Sequence, residues 1–116
     1  MMRRVRLELA RCRDFPEGSR RHGYELRVPL TWGGRLDHKA MPEDCDEVTF
    51  HRSWDGENQW GHIRHGHRGW ALSFGQDRDK EELIFKGDGH RFVSGEYVSI
   101  EERDGQTRTF RVVSVH

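Results

Sequence analysis

A chain of 116 residues carrying 20 basic and 20 acidic side chains has the length of one domain and no net charge. That excludes a tandem architecture and leaves no whole-chain electrostatic footprint for nucleic acid, in keeping with a pI near 7.1. Hydrophobic residues are only 33%, but four Trp and six Phe supply the buried area that disordered chains lack. No apolar run reaches the length of a signal-peptide core or a membrane span, so no membrane partner is expected, and the cytoplasm is the expected compartment. There the two cysteines, Cys12 and Cys45, stay reduced.

Val5, Leu7 and Leu9 alternate with Arg4, Arg6 and Glu8, the period of a half-buried strand. A turn follows around Pro16 and Gly18. Tyr24, Leu26, Val28, Leu30 and Trp32 then form the apolar face of a second strand, closed by Gly33-Gly34. Pro29 cannot donate to a ladder, which places that strand at an edge or gives it a bulge. Arg35 to Asp46 reads as a loop with one helical turn at Leu36 to Met41, and Glu47 to Arg52 as a strand with Val48 and Phe50 on one face. Asp55-Gly56 is a bend. Gln59 to Gly69 is the densest polar-aromatic stretch and reads as irregular, and Trp70, Leu72 and Phe74 mark a strand after it. Residues 76–82 read as an exposed loop, and Leu83 to Lys86 as a short strand cut by Gly87-Asp88-Gly89.

The chain ends in the clearest hairpin. A two-residue loop at Asp104-Gly105 would put the apolar residues of its arms on opposite faces, because one residue of slip flips a strand. A three-residue loop with Gly105 left-handed instead pairs Val98 with Phe110, Ser99 with Thr109 and Tyr97 with Arg111. Val98, Ile100, Phe110 and Val112 then share the core face. About seven short strands separated by turn signals predict a single all-β domain over residues 1–116, a small antiparallel barrel or sandwich.

Residues 1–39 carry five more basic than acidic side chains, and residues 40–60 five more acidic than basic. Mutual or solvated pairing is the expected outcome. Asp14 to Ser19 with His22-Gly23-Tyr24-Glu25, then Pro29-Leu30, Leu36-Asp37 and the stretch from Gly95 to Val115, resembles a family of small uncharacterised bacterial proteins. The resemblance implies a stand-alone protein and supplies no activity, cofactor or catalytic residue.

Two constellations carry chemistry. His62 and His65-Gly66-His67 are imidazoles that a divalent metal would take as ligands, with a further ligand from His51, His90, Asp88 or Cys45 through the fold. On a strand His65 and His67 point one way and His62 the other, and the carboxylate that would complete a cupin-like pattern is replaced by Ala71 and Leu72. Trp54, Trp60 and Trp70 with Arg64 make an aromatic-basic platform for a ring, although Trp70 also fits the core face with Leu72 and Phe74. The serines lack an elbow motif, and the neighbouring pairs Glu81-Glu82 and Glu101-Glu102 read as solvated charge. The expectation is a non-enzymatic binding module that engages a protein partner, or its own copy, through a strand edge or a polar-aromatic face. A small-molecule or metal site in residues 51–70 is the alternative.

Overall fold

The computed structural model describes residues 2–37, 39, 47–66, 69–74, 81–85, 91–102 and 104–116, with the backbone alone at 65, 66, 69, 74 and 81–85. It is all-β. Eight strands among the described residues form one antiparallel sheet: β1 (Met2–Leu9), β2 (Ser19–Pro29), β3 (Thr49–Trp54), β4 (Glu57–Gly66), β5 (Gly69–Phe74), β6 (Glu81–Phe85), β7 (Tyr97–Glu101) and β8 (Thr107–Val115). Their order is β6-β5-β4-β3-β2-β1-β8-β7. The sheet curls until its edge strands β6 and β7 lie against each other. One curled sheet makes the architecture barrel-like rather than a two-sheet sandwich.

Period-two alternation places the core. Val5, Leu7, Tyr24, Leu26, Phe50, Ile63, Trp70 and Leu72 point inward from successive strands, together with Val98, Ile100, Phe110 and Val112 from the terminal hairpin. Burying each large apolar side chain stabilises the fold by about 1.5–3 kcal/mol before chain entropy is subtracted. The hairpin takes the three-residue loop: Val98 faces Phe110, Ser99 faces Thr109 and Tyr97 faces Arg111. The Glu102 N–H donates to the Gln106 carbonyl and the Gly105 N–H to the Glu102 carbonyl, with Gly105 at φ +84°.

Four expectations need correction. The strand containing Pro29 is not an edge, because β2 lies between β1 and β3. Pro29 is tolerated because it is the last residue of β2, beyond the ladder to β3, which stops at Arg27 opposite Thr49. Trp32 does not continue the inward face. A tight turn from Thr31, whose carbonyl accepts from the Gly34 N–H, ends the alternation and leaves the indole 98% exposed. The stretch from Glu57 to Gly66 is a full strand rather than an irregular segment, and the strand expected from Leu83 begins at Glu81. The helical turn expected up to Met41 and the acidic run at 43–46 lie outside the described residues, as do Cys45, Asp88 and His90. Among the described residues no helix is long and apolar enough to cross a membrane.

Candidate functional site

Two polar-aromatic arrangements stand on opposite sides of the β3–β4 hairpin. The hairpin turns at Asp55-Gly56, both left-handed at φ 49° and 91°, so that Trp54 faces Glu57 across a two-residue loop. This fixes the register: His51 opposes Trp60, Arg52 opposes Gln59, and Thr49 opposes His62. Phe50, Arg52 and Trp54 therefore share the inner face, and Thr49, His51, Trp60 and His62 the outer one.

The inner arrangement is centred on Glu102, which is buried at 6% exposure. The Tyr24 hydroxyl donates to its Oε2. Arg52 donates from Nε at 3.2 Å to the same oxygen and from Nη2 at 3.4 Å to Oε1, and its Nε also reaches the Tyr24 oxygen at 3.2 Å. Arg108 approaches Oε1 at 3.7 Å and forms a closer pair with Asp104 at 2.8 Å. Both guanidiniums lie over Trp54, with their carbons 4.2 and 5.2 Å from the ring centre.

The titration of these groups follows from their packing. Burial, reinforced by the charge of Glu102 and its hydrogen bond, drives the Tyr24 hydroxyl far above its ordinary value. Burial opposes the charge on Arg52, but the hydrogen bonds and charge of Glu102 outweigh it and hold the guanidinium above its usual value. The Arg108 hydrogen bond holds the Asp104 carboxyl below the usual carboxylate value.

Beside this cluster, β1 and β2 slip register between Glu8 and Leu9, so residues 20–22 loop out of the ladder to β1 while His22 stays paired with Trp54 of β3. Gly23 is needed at the rejoining point, since a Cβ there would lie 2.1 Å from the Leu7 carbonyl oxygen. The loop brings the Ser19 hydroxyl to 2.6 Å from His22 Nδ1. This serine–histidine contact is a packing device: the hydroxyl also accepts the Arg21 N–H, and the imidazole is wedged between Phe15 and the edge of Trp54.

The outer arrangement is a groove of about 640 Å³. His51 and Trp60 stack across the strands, with ring centres 4.8 Å apart and planes within 3°. Asn58 donates from its amide nitrogen to the Gly56 carbonyl at 3.3 Å, which turns its oxygen toward His51 Nε2 at 2.8 Å. In the neutral ring that nitrogen carries the proton. Trp60 keeps 63% of its surface exposed.

The structure thus divides the expected platform. Trp60 is outside, Trp54 lies inside beneath two guanidiniums, and Trp70 is fully buried in the core. Arg64 follows His62 on the outer face, opposite Ala71. Of the expected metal ligands, His51 and His62 line the groove. The His65 side chain and the whole of His67 lie outside the described residues. No group of three His, Cys, Asp or Glu able to hold a metal forms among the described residues.

Family models, curated proteins and solved structures were compared with the chain, and none matches.

Sequence reasoning missed Glu102, read as solvated. The signal was present, since Glu102, one residue past β7, is in phase with the inward-facing Val98 and Ile100. Its partners Tyr24 and Arg52 are 78 and 50 residues away, beyond any local pattern. Trp32 was missed in the opposite sense. It borders a hollow of about 730 Å³ with Arg3, Arg91 and Val93, where Arg91 is tied to the Gly33 carbonyl at 3.1 Å.

Proposed function

We propose that the chain is a non-enzymatic binding module, working in the cytoplasm, that engages a protein partner through an exposed aromatic-basic surface. The observation that carries this reading is Trp32. An indole 98% exposed at the tip of a tight turn leaves its apolar surface in water, and tryptophan with arginine is the pair most enriched where interfaces concentrate their energy. The flanking Arg3 and Arg91 fit an acidic protein surface that holds an apolar slot for the ring. A strand edge is the weaker route, because β6 and β7 lie against each other and so shield the edges on which another strand would pair.

The inner polar cluster supports the non-enzymatic part of the reading, since its donors and acceptors are directed at one another rather than into a cavity. The test places a photo-crosslinking benzoylphenylalanine at position 32, and at exposed Gln106 as control, in the intact chain inside cells. A discrete adduct at 32 and not at 106, lost when Arg91→Glu is added, is the expected result. An adduct of twice the chain's mass would make a second copy the partner. No adduct above the control, or one indifferent to the charge reversal, would sink the reading.

A further inference from the structure

The outer groove shares no lining residue with the hollow beside Trp32, and its chemistry is different. Strand register aligns two rows across β1 to β4. One row runs Arg4, Arg27, Thr49, His62; the next runs Arg6, Glu25, His51, Trp60. All eight stand on the outer face, because each is out of phase with the buried Val5, Leu26, Phe50 and Ile63.

In the first row Arg4 and Arg27 are directly opposed, an arrangement of like charges that is destabilising in a sheet unless an anion lies between or beside them. Arg4 has a carboxylate, Glu25, at 3.7 Å. Among the described residues Arg27 has no ion pair, and it is exposed. A hydroxyl from Thr49 and an imidazole from His62 continue the row, so its donors fit an oxyanion. The second row ends in an exposed indole held in place by the parallel His51 ring, itself fixed by Asn58. An aromatic surface already immobilised loses little entropy when a ring stacks on it. A groove of about 640 Å³ lies within the range of small-molecule sites, roughly 300–1,000 Å³.

We propose that this groove is a binding site for a small planar ring bearing an anionic group, phosphate or carboxylate, with the ring against Trp60 and the anion on Arg27 and the other donors of its row. Both halves contribute: the ring supplies stacking and the anion relieves the opposed arginines.

The test is an NMR titration of the intact chain, following the Trp60 indole N–H and the His51 ring C–H signals, with adenosine 5′-monophosphate, 2-naphthoate, adenosine and inorganic phosphate as separate probes. The two ring-anion probes should move both signals. Adenosine and inorganic phosphate should bind roughly tenfold or more weakly, the order of one charge-assisted hydrogen bond. Response to the monophosphate alone names phosphate as the anion, and response to naphthoate alone names carboxylate. Trp60→Ala should weaken binding on the order of ten- to a hundredfold, as loss of one stacking platform does, and Trp60→Phe should retain it. Arg27→Gln should abolish the preference for the monophosphate over adenosine. Equal affinity for adenosine and its monophosphate, binding unaffected by Trp60→Ala, shifts at Trp32 or Trp54 in place of Trp60, or no shift with any probe would each overturn the proposal.

Discussion

Trp54 and Trp60 lie on the two arms of one hairpin, each beside a cation or imidazole and each within reach of charged neighbours, yet they belong to different kinds of site. Trp54 faces inward, where Arg52 and Arg108 cover it and turn their hydrogen bonds on Glu102. Trp60 faces outward, where His51 supports one side of the ring and the adjoining row contains Arg27, an arginine with no ion pair among the described residues. The same residue types make a closed network when a buried carboxylate completes them; on the outer face the described carboxylate, Glu25, meets Arg4 and leaves Arg27 for the ligand proposed above. Closure, rather than aromatic or charged content, distinguishes the two faces here.

The strongest way to break this contrast is to open the closed network. Glu102→Ala leaves Arg52, whose side chain is 16% exposed, with no carboxylate for its charge, and leaves the Tyr24 hydroxyl without its acceptor. Removing one member of a buried pair costs about 3–5 kcal/mol. Arg52 keeps some solvent and Arg108 keeps Asp104, so the loss should fall near the lower end, about 3 kcal/mol. Urea unfolding followed by tryptophan fluorescence measures it; a loss below about 1 kcal/mol would mean that the cluster behaves like a surface pair.

Tyr24→Phe removes one member of the network and keeps the ring's packing against Phe110. At neutral pH the expected cost is about 1–2 kcal/mol, one buried hydrogen-bonded group. The pH dependence carries the sharper test. The folded-state value of Tyr24 is raised above its ordinary 10.0, so its contribution is fully present below pH 10 and is lost as pH rises past the unfolded-state value, where the unfolded chain releases the proton and the folded chain retains it. Wild-type stability should fall by up to about 1.4 kcal/mol per pH unit from this residue above pH 10. Tyr24→Phe lacks that slope, so the gap between the two proteins narrows with rising pH. A constant gap to pH 11 would show that Tyr24 ionises freely in the fold.

The core and the terminal hairpin were legible because they depend on local rules: period-two alternation, and an Asp-Gly bend whose loop length decides which residues share a face. Val98 opposite Phe110 follows from those rules alone. Glu102 was half legible, since parity turns it inward while its charge argues for solvent, and only distant Tyr24 and Arg52 settle the conflict. Trp32 shows alternation overextended, for the Gly33-Gly34 turn claims Thr31 and Trp32 before the strand pattern does. The division of Trp54, Trp60 and Trp70 among inner cluster, outer face and core was illegible as a set, because it depends on where each hairpin register begins.

The smallest expected effect sharpens the contrast from the other side. Trp60→Ala deletes the largest side chain type in the code, and Trp→Ala in a packed interior costs about 3–5 kcal/mol; fully buried Trp70 sets that scale within this fold. Trp60 is 63% exposed and touches His51 by one stacked face, so its removal forfeits a single cross-strand aromatic contact, about 0.5 kcal/mol or less. Side-by-side urea unfolding of Trp60→Ala and Trp70→Ala should therefore separate by several kcal/mol. A Trp60→Ala variant as unstable as Trp70→Ala would make the indole a structural member of the sheet and remove the reason to regard its exposed surface as reserved for a ligand. A variant of near wild-type stability leaves that surface with no role in the fold, which is the condition a binding residue must meet.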